Sequence, residues 1–182
     1  YDAFNKGMIV SKGKFIGFIN SDDIYKKDAL SIISNYIRKN KATDFIFGSV
    51  KKHWGILHGY KPHKIKYSWG FYSSHSTGFF IKRKVAEKIG FYNIKYKYHA
   101  DYDYFYRLIV KNKMKGISTK KNEIVGVFRR GGFSSKISFW KKLKEDIRIR
   151  YDNGQNIFLL ILIFSNKFLR NIDQILKNII NK

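Results

Sequence analysis

The sequence predicts an α/β fold, because two short apolar runs, Phe15–Ile19 and Asp44–Val50, flank a stretch of helical periodicity from about Lys27 to Lys39. The first run breaks abruptly from Lys14-Phe15-Ile16-Gly17-Phe18-Ile19 into Asn20-Ser21-Asp22-Asp23. Phe15, Ile16, Phe18 and Ile19 form a continuous apolar block, the pattern of a strand buried on both faces of a parallel sheet. Carboxylates at the C-terminal end of such a strand lie where open α/β sheets bind their ligands. In so basic a chain, two adjacent acids suggest a divalent cation (Mn2+ or Mg2+), and hard oxygen ligands in turn suggest a phosphate-bearing substrate. Asn-Ser-Asp-Asp is also good turn chemistry, fit to end the strand and cap the next helix. The four residues alone leave both readings open.

Composition narrows the class. At 182 residues, 44% hydrophobic and 18% aromatic, the chain can bury a core, which excludes a disordered basic tail. The absence of cysteine excludes a disulfide framework and a thiolate metal site, and fits a reducing compartment. A formal charge of +24 demands an anionic partner or surface. Nucleic acid, an anionic membrane and an anionic nucleotide-linked substrate all satisfy it, and lysines spread through every segment do not choose among them.

Along the chain, Asp2 to about Ser11 reads as a short helix carrying Ala3, Phe4 and Met8, closed by Lys12-Gly13. In the helix from Lys27 to Lys39, the stripe Ala29, Ile32, Ile33, Tyr36 and Ile37 is core. His53, His58 and His63 recur every five residues, which matches no helical or hairpin ligand set, so they read as loop histidines. The stretch Tyr60–Ser73, with the single proline Pro62, is expected to cover part of a cleft. Val85, Ala86 and Ile89 mark a helix stopped by Gly90. In the next helix Asp101 shares an inward stripe with Phe105, Leu108 and Ile109, while Asp103 points away and sits four residues before Arg107, at ion-pair spacing. An inward acid in a first helical turn is either paired or working, and the helix N-terminus favours its charged form. Ile124–Phe128 reads as a strand, and Arg129-Arg130-Gly131-Gly132-Phe133-Ser134-Ser135 as a loop.

From Phe139 the character changes, which divides the chain into residues 1–138 and a basic helical tail, 139–182. Trp140, Leu143 and Ile147 mark one amphipathic helix and Asn153-Gly154 turns the chain. A second stripe runs through Phe168, Ile172, Ile175, Leu176 and Ile179, with Lys167, Arg170 and Lys177 among them. The apolar run Ile157–Phe164 is too short to span a bilayer. A basic amphipathic tail suits an anionic membrane surface, and equally suits packing on the domain or on another subunit.

Tyr1-Asp2-Ala3-Phe4-Asn5-Lys6-Gly7 followed by Asn20-Ser21-Asp22-Asp23 resembles the middle of the family-2 glycosyltransferases of the GT-A fold, where a Tyr-Asp-Ala-x-Asn-Lys-Gly helix leads to a strand ending in a form of the Asp-x-Asp metal motif. Further segments are similar in the family's order. Ser74-His75-Ser76-Thr77-Gly78-Phe79-Phe80-Ile81-Lys82-Arg83 resembles His-Gln-x-x-Phe-Phe-x-Arg, with Ser76 where Gln is usual. His99-Ala100-Asp101-Tyr102-Asp103 resembles the segment that carries the catalytic base, and Arg129–Ser135 resembles an Arg-x-Gly-Gly-x-Ser loop.

The resemblance implies a mixed GT-A sheet whose N-terminal portion is missing, followed by C-terminal amphipathic helices. It implies roles for Asp2, Asn5, Lys6, Asn20, Asp23, Arg129 and Arg130 toward the donor nucleotide and diphosphate. Asp22 would hold the metal, Asp101 would be the base and Asp103 structural, and His75 and His99 would face the donor or acceptor sugar. Asn20 stands where the first Asp of the metal motif is usual, which lowers the charge there. The implied activity is inverting transfer from a nucleoside-diphosphate sugar to a hydroxyl of a glycan or lipid-linked acceptor, in cell-envelope or extracellular polysaccharide synthesis. The expected setting is cytoplasmic, peripheral at the inner face of the cell membrane, with no nucleic-acid partner. The competing reading is a non-catalytic basic module that binds nucleic acid or anionic membrane.

Overall fold

A computed structural model of the chain describes residues 1–67, 76–129 and 137–172. Helix α1 (Asp2–Val10) buries Met8 and half-buries Phe4, and leads to β1 (Phe15–Gly17), the acidic turn and β2 (Ile24–Tyr25). Helix α2 (Ala29–Lys39) turns the predicted stripe inward, with Ala29 and Ile33 fully buried. The run Asp44–Val50 is two strands, not one: β3 (Phe45–Phe47) and β4 (Ser49–Lys52), followed by β5 (Gly55–Leu57). The stretch expected as a covering loop contains a short helix, α3 (His63–Tyr67), and its residues 68–73 lie outside the described set. A single 3-10 turn (Ser76–Gly78) precedes β6 (Phe79–Lys82) and α4 (Arg83–Ile89), which Gly90 ends with φ of 83°. Helix α5 (Ala100–Tyr106) widens into a π-helical turn (Arg107–Lys111); then come β7 (Gly116–Ser118), β8 (Ile124–Val127), α6 (Phe139–Asp152) and α7 (Ile157–Arg170).

The strands form two four-stranded mixed sheets, ordered β1-β6-β3-β7 and β2-β8-β4-β5. Strand β1 does not join a parallel neighbour as its apolar block suggested. It pairs antiparallel with β6, Phe15 opposite Lys82 and Gly17 opposite Phe80. Both faces of β1 are nevertheless covered: Ile16 and Phe18 enter one core and Phe15 packs against the other, while Ile19 is exposed. A continuous apolar run reports cover on both faces and says nothing of the neighbour's direction. The larger core, on the face toward α4 and α5, is aromatic, with Phe18, Phe45, Phe47, Phe79, Tyr92, Tyr104 and Phe105 in mutual ring contact. The smaller core places Ile46, Val50, Phe80 and Val125 under α2.

The chain crosses between sheets at Gly48, whose N–H donates to the Gly78 carbonyl at 2.8 Å. A Cβ there would stand 2.4 Å from Val125 Cγ2, so only a glycine lets β3 and β4 diverge against β8. Helix α6 packs back on the domain: Leu143, Ile149 and Arg150 are buried, and the Arg150 guanidinium donates to the carbonyls of Ile65 (3.4 Å) and Lys66 (3.2 Å). Helix α7 buries Leu160 and Ile163 against α6.

Gly48→Ala should lower unfolding free energy by about 1–3 kcal/mol through overpacking, read by urea denaturation. Gly7→Ala, in open space on α1, should instead raise it by about 0.5–1 kcal/mol.

Candidate active site

The acidic turn is built before its acids are considered. Asp23 N–H donates to the Asn20 carbonyl at 3.1 Å, closing a four-residue turn between β1 and β2. Asp23 is buried and its carboxylate is a hub: one oxygen accepts from Asn20 Nδ2 (3.0 Å) and from the Thr77 hydroxyl, the other from Arg129 N–H (3.4 Å). Asn20 Nδ2 also reaches Ser76 Oγ at 3.1 Å. These bonds fasten the turn to the 3-10 turn before β6 and to the end of β8, and they make a buried carboxylate tolerable. Burial first, and then the charge of Asp23, push the nearby Tyr25 phenol up to about 12.

Asp22 differs. It is partly exposed and has no hydrogen-bond or ion-pair partner among the described residues. Among the described residues no group of three or more His, Cys, Asp or Glu converges. A Mg2+- or Mn2+-type ion does not need such a group, since it takes one or two carboxylates and completes its shell with substrate phosphates and water. Asp22, with Asn20 beside it, fits that kind of site.

The second acid pair lies at the start of α5. Asp101 is half-buried and its Oδ1 accepts from the Tyr1 hydroxyl (3.0 Å) and from Tyr102 N–H (2.9 Å). Tyr1 is set by its ring, which stacks on Tyr92 at 5.6 Å; Tyr92 in turn stacks on Tyr104 at 4.3 Å. Asn5 clamps this column, its amide donating to the Tyr92 carbonyl (2.9 Å) and accepting from Tyr92 N–H (2.8 Å). Burial, and then the charge of Asp101, hold the Tyr1 phenol far above its ordinary value, so it remains a donor to the carboxylate.

Asp103 pairs with Arg107 at the expected i,i+4 spacing, Oδ2 to Nε at 2.9 Å. It does not point to solvent, as the helical wheel suggested. It is 3% exposed, and Nδ2 of Asn153, at the C-cap of α6, donates to its other oxygen at 2.9 Å. The reason is that α5 has no wet face, being enclosed by the aromatic core, α3 and α6. Arg107 also donates to the carbonyls of Ile89 and Phe91, both at 2.7 Å, stitching α5 to the end of α4.

The remaining predicted residues are scattered. Asp2 and Lys6 pair with each other at 2.9 Å on the exposed face of α1. His99 caps α5 and lines a cleft with Phe139, Lys142, Leu143, Lys167, Arg170 and Asn171 of the tail helices, so it faces α6 and α7. Arg129 is exposed beside Asp23, whereas His75 and Arg130 lie outside the described residues. Three participants were missed: Tyr1, Thr77 and Lys52. Tyr1 and Thr77 lie within the quoted motifs but show no separate signal there. Lys52 is half-buried at the end of β4, and burial pulls its ammonium down while the charges of both Asp23 and Asp101 pull it back up.

Residues 1–98 match the family model "Glycosyl transferase family 2", and the chain belongs to that family. Its members generally use a divalent cation. The matched stretch ends before Asp101. The chain is 26% identical over 163 residues to the "PGL/p-HBAD biosynthesis glycosyltransferase" of Mycobacterium bovis, an alignment covering 82% of this chain and 59% of the relative. It is 28% identical over 117 residues to an "uncharacterized glycosyltransferase" of Methanocaldococcus jannaschii, covering 59% of this chain and 40% of that one. The chain thus spans well under two thirds of either relative. The fold matches the crystal structure of S. aureus TarS with a TM-score of 0.62 at 12% identity, over 92% of this chain and 30% of that one. Sheet, helices and neighbours together define a GT-A-like glycosyltransferase fold.

The two acids of α5 should separate cleanly in stability. Asp103→Ala leaves Arg107 without its carboxylate and should cost on the order of 3 kcal/mol in chemical denaturation. Asp101→Asn, half-buried and retaining acceptor capacity, should cost less than about 1 kcal/mol.

Proposed function

We propose that the chain is the larger part of an inverting glycosyltransferase that moves a sugar from a nucleoside-diphosphate sugar to an acceptor hydroxyl. The observation that carries this reading is the division within each acid pair of a family-2 domain. Asp23 and Asp103 are buried and bonded into the scaffold, while Asp22 and Asp101 are the less buried members. In this reading Asp101, oriented by Tyr1, takes the proton of the acceptor hydroxyl as that oxygen attacks the anomeric carbon. The bond from the anomeric carbon to the diphosphate breaks on the opposite side, its electron pair leaving with the diphosphate oxygen. Asp22 and Asn20 would hold a Mn2+ or Mg2+ ion, which when bound supplies charge neutralisation for the diphosphate. In the same reading Asn5 serves through Tyr92 and Tyr1, and Asp2, Lys6, Arg129 and Arg130 would act toward the donor nucleotide and diphosphate. A single-displacement path inverts the anomeric configuration.

The acceptor in this reading is a glycan or lipid-linked sugar of the cell envelope or an extracellular polysaccharide, worked on at the inner face of the cell membrane. What supports a membrane setting is α7. It exposes Ile157, Phe158, Ile161, Leu162, Phe164 and Leu169 and carries no acid, beside Lys144 and Arg148 of α6. That much exposed apolar surface flanked by cations suits a helix lying on anionic lipid. No helix among the described residues is long and apolar enough to cross a membrane.

With the full-length protein and a panel of nucleotide sugars, turnover should require Mn2+ or Mg2+ and stop on chelation. Asp101→Asn should lower kcat by about 10²–10⁴-fold with little change in KM, and Asp22→Ala should weaken donor use and its metal dependence together. Turnover that survives Asp101→Asn would remove the base assignment. Vesicles containing phosphatidylglycerol should sediment the protein and phosphatidylcholine vesicles should not; Phe158→Glu with Ile161→Glu should reduce partition by tenfold or more, on the order expected for two buried apolar side chains. Equal binding to both vesicle types would count against the membrane assignment.

A further inference from the structure

The sheet edge that carries Asp23 carries a cation as well. Strand β2 runs antiparallel to β8 with Ile24 opposite Val127, and β4 runs parallel to β8 with Lys51 opposite Val127. One residue further along, Asp23, Phe128 and Lys52 therefore follow one another across three adjacent strands. Phe128 N–H donates to the Lys51 carbonyl at 2.9 Å, and Arg129 N–H donates to Asp23, so both register positions are fixed. Lys52 and Asp23 are separated by two strand spacings, roughly 10 Å of backbone. The two make no ion pair, yet the charge of Asp23 reaches the Lys52 ammonium.

The Lys52 ammonium stands 4.6 Å from the centroid of the Phe128 ring and 5.9 Å from that of Trp54, so aromatic faces replace part of its hydration. It has no carboxylate within 4.0 Å among the described residues. Trp54 itself is 60% exposed on the turn between β4 and β5, at the rim beside it. A lysine partly dried by two rings, without a carboxylate partner among the described residues and within the field of Asp23 and Asp101, is equipped to receive an anion that arrives with the substrate.

We propose that Lys52 binds the diphosphate of the donor, in addition to the cation that Asp22 would hold. This inference rests on the glycosyltransferase reading and adds a residue to it. As the bond to the anomeric carbon breaks, the electron pair passes to the diphosphate oxygen, and Lys52 Nζ donates hydrogen bonds to that growing charge without giving up its proton. Phe128 and Trp54 hold the ammonium in place.

The test is binding of UDP, GDP and dTDP, each beside its monophosphate, to the full-length protein in magnesium, for wild type, Lys52→Met and Lys52→Arg. For the diphosphate that wild type binds, Lys52→Met should weaken affinity by about 10- to 100-fold, and for the matching monophosphate by less than about threefold. Lys52→Arg should recover most of the loss. Thermal midpoints should be unchanged across the three, and Lys52→Gln replaces the Met variant if that one fails to fold. Equal weakening of both nucleotides, or none, in a folded variant overturns the role of Lys52 and leaves the glycosyltransferase reading standing. Failure of wild type to bind any of the diphosphates overturns that reading, and this inference with it.

Discussion

The acidic turn between β1 and β2 depends on the buried carboxylate of Asp23. Its two oxygens gather the Asn20 amide, the Thr77 hydroxyl and the Arg129 N–H, three groups from segments far apart in sequence. A carboxylate so placed is stable because the bonds to it are charge-assisted, and those bonds tie the acidic turn to the 3-10 turn before β6 and to the end of β8. The consequence is a turn between β1 and β2 with a defined shape. In that turn the neighbouring Asp22 is left without a partner among the described residues.

The same division recurs at α5. Asp103 is locked by Arg107 and by Asn153 at the C-cap of α6, and the lock orients the helix whose first turn presents Asp101 to Tyr1. Tyr1 is in turn the end of a stacked column, Tyr1 on Tyr92 on Tyr104, that Asn5 pins from α1. The Tyr-Asp-Ala-x-Asn-Lys-Gly segment thus reaches Asp101 through the Tyr1 hydroxyl, which the aromatic stack positions. The first tail helix belongs to this scaffold too, since Asn153 and Arg150 both bond into the domain. What remains turned outward is α7.

Much of this was legible in the sequence wherever the cause is local. The stripe of α2, the unit of β6, α4 and Gly90, and the pairing of Asp103 with Arg107 follow from spacing within one element. What depends on partners distant in sequence was not. The run Asp44–Val50 reads as one strand across Gly48-Ser49, whereas the change of sheet there is dictated by the contact of Gly48 with Val125, distant in sequence. The direction of β1 was misread because covered faces and parallel neighbours leave the same apolar pattern. Asp103 was placed outward because a helical wheel assumes one wet face. Lys52 is one of 37 basic residues, and only the pairing of β8 with both β2 and β4 brings it level with Asp23.

The central claim is a single displacement in which one base, Asp101, acts on the acceptor. The most direct measurement is proton NMR of the first-formed product from an α-linked nucleotide sugar and a simple acceptor, read before any anomeric equilibration. The account predicts a β-linked product, formed by wild type and lost in Asp101→Asn. An α-linked product would contradict it, because a single in-line displacement by the acceptor oxygen inverts the anomeric centre.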